Sequence, residues 1–160
     1  MEPEVQEQVW AFIQLEDDAE KLRKLVEPYL SEEHPLALYA VARNSYEHES
    51  EDEFSKKYIV QITKASEGGI APASYRMGVN HLYGDDVKQD HKLASAFFER
   101  AIEQGHTYTK FIYGFSLYYG TDENQIDQKR GLSLMQEAAN EGEDKAVREL
   151  RKINGDSDNV

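Results

Sequence analysis

Cysteine is absent from the 160 residues. That excludes disulfides, thiolate nucleophiles and cysteine-ligated zinc. Proline occurs only four times, which leaves long stretches open to helix. No apolar run approaches the ~18 residues of a membrane span. The opening M-E-P-E-V-Q-E carries neither the basic nor the apolar part of a secretory leader, so a soluble cytoplasmic chain is expected. There is no G-x-x-x-x-G-K-[ST] stretch to cradle a phosphate. No S-x-x-K motif appears either.

Charge of one sign is what the chain has in excess. The formal net charge is −13. Residues 1–53 hold 15 acids against 4 bases, a balance of −11, and the remaining residues are close to neutral at −2. A field of that sign repels nucleic acid and anionic lipid, and it attracts basic partners.

From residue 71 onward the sequence repeats itself. Gly78 and Gly114 are 36 positions apart, as are Gly84 and Gly120. Asp90 and Asp127 are 37 apart, and so are Ala101 and Ala138, and Gly105 and Gly142. The extra residue therefore falls in the turn after Gly120. Self-similarity at this period marks stacked helical units that bury their apolar faces against one another. Within each copy the residue types assign themselves. Gly84 and Gly120 suit the left-handed end of a first helix. Asp90 and Asp127 suit the N-cap of a second. Gly78 and Gly114 lie inside helices at a cost of about 1 kcal/mol relative to alanine, which implies close approach of a neighbour. Ala94, Phe97, Phe98, Ala101 and Ile102 form one buried stripe, and Gly131, Leu134, Met135, Ala138 and Ala139 the next.

The arrangement Ala73, Met77, Gly78, His81, Gly84, Val87, Asp90, Ala94, Phe97, Ala101 and Gly105 resembles the Sel1-like repeat, a relative of the tetratricopeptide helix pair. His81, Phe97 and Asp86 replace the usual Tyr, Trp and second turn Gly. The following copy carries Gly114, Gly120, Asp127, Gly131, Leu134, Ala138 and Gly142, with Tyr113 and Leu117 as departures. The resemblance implies an all-α solenoid, an α-α superhelix whose members mostly bind proteins on a concave face lined by the first helices.

Around these copies the chain divides as 1–33, an N-terminal helical cap; 34–70, a worn first repeat; 71–106 and 107–143, the clear repeats; and 144–160, a capping helix and tail. Val5, Val9, Phe12 and Ile13 fall at helical spacing. Asp17 and Glu20 read as a capping box opening a second helix, which Pro28 is expected to end or kink. Pro35 suits a first helical turn. Tyr39, Tyr75 and Phe111 align at the 36-residue step. The acidic run Glu47 to Glu53 is expected to be a loose link, and Gly68-Gly69 a helix end. Lys145 to Ile153 reads as a closing helix with a basic outer face.

Candidate chemistry is sparse. Asp85, Asp86, Asp90 and His91 cluster at one turn in a metal-like composition, but the repeat already uses Asp90 as a cap, so no metal and no cofactor are assigned. His34, His48, His81, His91 and His106 have no catalytic neighbour at a recognisable spacing. The chain is therefore read as a binding protein and not an enzyme. On the face implied by the resemblance, the outward positions are Arg76 and Ile112, Asn80 and Ser116, and Tyr83 and Tyr119, with Ala40, Asn44 and Glu47 in the first copy. The expected partner is another, basic protein, not nucleic acid or membrane. A narrower reading, by family analogy, is an immunity or antitoxin protein that covers a basic bacterial effector. A hydrolase is disfavoured, because the Sel1-like proteins credited with β-lactam activity are cysteine-rich.

Overall fold

The computed structural model describes residues 1–15, 19–42, 50–122 and 126–155. Among them are nine helices and no strand: α1 (Pro3–Leu15), α2 (Ala19–Leu30), α3 (Pro35–Ala42), α4 (Glu51–Glu67), α5 (Ala71–Tyr83), α6 (His91–Glu103), α7 (Thr107–Tyr119), α8 (Gln128–Asn140) and α9 (Asp144–Ile153). The tightest pairings are α7 with α8, α5 with α6 and α3 with α4, and each pair packs on the next. This is an all-α solenoid. None of the described helices is long and apolar enough to cross a membrane.

Local chemistry sets the helix ends. Gly84 and Gly120 take left-handed conformations, at φ 82° and 71°, and close α5 and α7. A Cβ there would strain the backbone. Asp90 Oδ1 accepts from the amides of Lys92 and Leu93, both at 3.0 Å. Asp127 accepts from Arg130 N at 2.9 Å. The Asp90 carboxyl is held below the usual range, chiefly by the Leu93 amide. Pro35 opens α3 as expected, whereas α2 runs through Pro28 and stops two residues later at Leu30.

One expectation about the acidic run is corrected. Glu51 to Glu53 are not a loose link but the first turn of α4. Ser50 caps that helix in a reciprocal box with Glu53. The helix dipole favours three carboxylates at this end. The hydrogen bonds from Ser50 to Glu53 lower that carboxyl's pKa. Asp17 with its capping role, and Asn44, Glu47 and His48, lie outside the described residues.

Two apolar clusters form the core. One runs from Val9 and Val26 through α3 and α4 to Met77; the other joins Leu82, Ala94, Phe98, Tyr113, Leu117 and Leu134. Between them sits a buried polar seam. Ser66 Oγ and Ser74 Oγ are 2.7 Å apart, Ser74 Oγ donates to Gln104 Oε1 at 2.6 Å, and Gln104 Nε2 donates to Ser66 O at 2.9 Å. Each group answers another, so the seam joins α4, α5 and the C-cap of α6.

The in-helix glycines set helix spacing, but not equally. A Cβ on Gly114 would meet the Gly131 carbonyl oxygen at 2.9 Å and Leu134 Cβ at 3.0 Å. A Cβ on Gly131 would meet the Gly114 oxygen at 2.5 Å. The α7 and α8 backbones therefore touch. At Gly78 the obstacle is the edge of the Phe98 ring, 2.5 Å away. A ring edge can swing aside, while a backbone carbonyl must take its helix with it. We expect Gly114→Ala to cost about 1–3 kcal/mol by overpacking, read as a lower urea midpoint. Helix propensity returns up to about 1 kcal/mol at either position, so Gly78→Ala should cost less because its clash is the softer one. Equal losses would contradict the backbone contact.

Candidate functional site

Helices α5 and α7 stand side by side with α6 behind them, and an open cleft of about 230 Å³ lies between them. Phe98, Leu82 and Tyr113 form its floor; Tyr75, Val79, Tyr108 and Ile112 are its walls. Tyr83 and Asp122 stand at its rim, both exposed. Tyr83 is 63% exposed, the most open aromatic among the described residues. The four-residue spacing Tyr75, Val79, Tyr83 brings these side chains onto one stripe of α5.

The walls are braced by stacked rings. Tyr75 stacks on His106 at 5.3 Å and meets Tyr108 edge-on at 5.8 Å. His106 Nδ1 lies 2.6 Å from Thr109 Oγ1. Burial pushes the His106 imidazole below its usual pKa and the Tyr75 phenol above its own. Both groups therefore stay neutral near pH 7, as a partly apolar wall requires.

The sequence-derived candidates separate into three groups. Tyr83 and Tyr119 are exposed, and Ile112 is a half-buried wall of the cleft. Asn80 and Ser116, expected to face outward, are instead buried, at 7% and 3% exposed. A helix inside an array packs against its own pair and against the copies on either side, so only a narrow stripe stays open. Ser116 instead donates to Thr121 O at 2.8 Å and closes its own turn. Arg76 is half-buried toward α3 and α4, bonded by the hydroxyls of Tyr39 and Tyr58. Ala40 is fully buried. Asn44 and Glu47 fall outside the described residues.

The two register tyrosines also differ in their partners. Tyr119 O–H donates to Glu149 Oε1 of α9 at 2.8 Å. It belongs to a ring row running through Tyr108, Phe111 and Phe115 beside α9, where Lys145 sits 5.0 Å over the Tyr108 ring. Tyr83 has no polar partner among the described residues. That distinction depends on α9 lying against one tyrosine only, and no periodicity could reveal it.

Three of the described histidines, His34, His81 and His106, pack against aromatic rings. His81 stacks on Phe97 at 5.5 Å with 8° between planes. His34 meets Tyr29 edge-on at 6.2 Å, and burial lowers its pKa. At the acidic turn, Asp90 is occupied by its cap, and Asp86 accepts from Ser55 Oγ at 2.5 Å.

The Sel1 repeat family model matches residues 71–106 and 110–143. Those two stretches are Sel1 repeats. Among solved structures, the fold is similar to a Sel1 repeat protein from Oxalobacter formigenes, with TM-score 0.69 and 20% identity over 79% of this chain and 95% of that one. It is also similar to c5321, described as a protective antigen present in uropathogenic Escherichia coli strains displaying an SLR fold. There the TM-score is 0.66 and the identity 18%, over 78% of this chain and 26% of that one. No curated protein matches the sequence.

Hydrogen bonding to Glu149 pushes the Tyr119 phenol up to about 12. Burial raises the Glu149 carboxyl, but the bonds from Tyr119 and Lys152 outweigh it and leave the group lowered. The carboxylate form is thus favoured in the fold. Its contribution is present above the unfolded carboxyl pKa and is lost as pH falls through the folded one. In an ultraviolet phenol titration, Glu149→Gln should move one late-titrating tyrosine to lower pH. An unchanged curve would contradict the bond.

Proposed function

We propose, for a chain built on two Sel1 repeats, that it binds another protein and grips it by an apolar side chain held in the cleft between α5 and α7. The observation that carries this is Tyr83, a large exposed ring at the rim of a cleft lined mostly by aromatic and aliphatic side chains. An exposed tyrosine offers wide contact area with little rotamer freedom to lose. The cleft, at about 230 Å³, is smaller than the roughly 300–1,000 Å³ of pockets that enclose whole small molecules. It suits a side chain better than a cofactor.

Sel1-repeat folds commonly act as protein-interaction scaffolds, which agrees with this reading. The excess of acids in residues 1–53 supports a partner that is basic overall, drawn in by the long-range field. The same excess supports the narrower reading of an immunity protein that covers a basic effector.

The test selects binding peptides from a displayed random library and compares variants. Tyr83→Ala should weaken selected peptides by about tenfold or more, or ~1.4 kcal/mol. Val60→Ala, on an exposed position of α4, should leave them unchanged. Equal affinity for both variants, or no enriched peptide at all, would remove the cleft from the argument.

A further inference from the structure

Moving 36 residues back from Ile112 and Ser116 gives Arg76 and Asn80. Ile112 and Ser116 line the cleft between α5 and α7. Arg76 and Asn80 therefore occupy the corresponding places on α5, facing the preceding helix pair. The contacts agree: Arg76 bonds with the hydroxyls of Tyr39 on α3 and Tyr58 on α4, both buried tyrosines.

Among the described residues, these two present more donors than they have acceptors. A guanidinium carries five N–H groups in a planar fork, and two hydroxyls do not exhaust it. Burial acts to lower the Arg76 pKa, but the tyrosine bonds outweigh it, so the cation persists. No carboxylate pairs with it among the described residues, although the chain holds 31 acids. Asp86, the nearest counterpart of Asp122 in register, is engaged by Ser55. One helical turn from Arg76, Asn80 is only 7% exposed, and its Nδ2 has no acceptor among the described residues. Side chains at i and i+4 have Cβ atoms about 5–6 Å apart. A buried donor left unmade is costly, and so is a half-buried cation without a counter-charge. A single carboxylate answers both, one oxygen to the guanidinium and the other to the amide.

We propose that Arg76 and Asn80 form a carboxylate-receiving site for the same partner segment whose apolar side chain enters the cleft between α5 and α7. This rests on the protein-binding reading above. Neighbouring helix axes lie about 8–10 Å apart, and an extended chain advances about 3.3 Å per residue. The carboxylate, from Asp, Glu or a chain terminus, thus sits about three residues from the apolar anchor. The chain's negative field does not forbid it, because salt screens charges beyond about 8 Å while the donors act at contact.

The test uses two capped peptides, acetyl-Leu-Ala-Ala-Asp-amide and acetyl-Leu-Ala-Ala-Asn-amide, titrated into the full chain. Nuclear magnetic resonance follows the Asn80 side-chain amide and the Ile112 methyl separately. Both peptides should move Ile112, but only the Asp peptide should move Asn80, and it should bind about tenfold tighter. Arg76→Gln should abolish that preference and keep the Ile112 response. Arg76→Lys, which retains charge but loses the fork, and Asn80→Asp, which adds repulsion, give the same answer if Arg76→Gln fails to fold.

Equal binding of the two peptides, with Ile112 moving and Asn80 still, overturns the carboxylate site and leaves the cleft standing. Movement of Asn80 alone keeps the carboxylate site and removes the cleft. No movement of either resonance removes both. If Glu47→Gln in the free protein shifts Asn80 and the Asp peptide does not, the acceptor is the chain's own and the proposal falls.

Discussion

The contact between the α7 and α8 backbones at Gly114 and Gly131 is the constraint on which the best-formed helix pair depends. It holds two helices closer than side chains would allow, and fully buried alanines continue the economy of space. Ala65, Ala101 and Ala138 have no exposure on the second helices; Ala73 has none on the first helix α5, nor Ala146 on the closing helix α9. Small residues at these places let larger neighbours interlock between copies. Phe98, Tyr113 and Leu134 fill the resulting gaps as one cluster. The cleft beside Tyr83 opens above that cluster, so its floor is fixed by the same packing that stabilises the array.

Much of this was legible because it rests on local backbone needs. Gly84 and Gly120 mark left-handed helix ends, and Asp90 and Asp127 mark helix starts, wherever a chain must turn between paired helices. The 36- and 37-residue steps then specify stacking. What stayed hidden depends on three-dimensional neighbours. Asn80 and Ser116 turned out buried because a first helix is flanked on several sides, a condition that a single-helix face count does not contain. The Ser50–Glu53 box was masked by the acids around it: a run of like charges reads as solvated link until one serine is seen to cap it. The contrast between Tyr119, tethered to Glu149, and the open Tyr83 comes from α9, whose approach leaves no periodic mark.

Electrostatics works at two ranges in this molecule. Across the surface, an acid excess concentrated before residue 54 sets the far field. At contact distance, single groups decide. The Asp90 carboxylate is drawn into amides, Glu149 into a phenol and an ammonium, and Lys110 is tied to Glu141 and Glu137 between α7 and α8. Arg76 stands apart from that pattern, a guanidinium held by neutral hydroxyls within a strongly acidic chain.

The order of helix contacts has a further consequence. Among the described residues the main contacts run between successive helices, so the middle of the row is held chiefly by its neighbours. Gene duplication of one helix pair, spliced at the Gly105 turn, would lengthen the lineage's groove by a whole unit while leaving both flanks geometrically undisturbed. Such a fold can grow by copying, without having to rebuild the packing it already has.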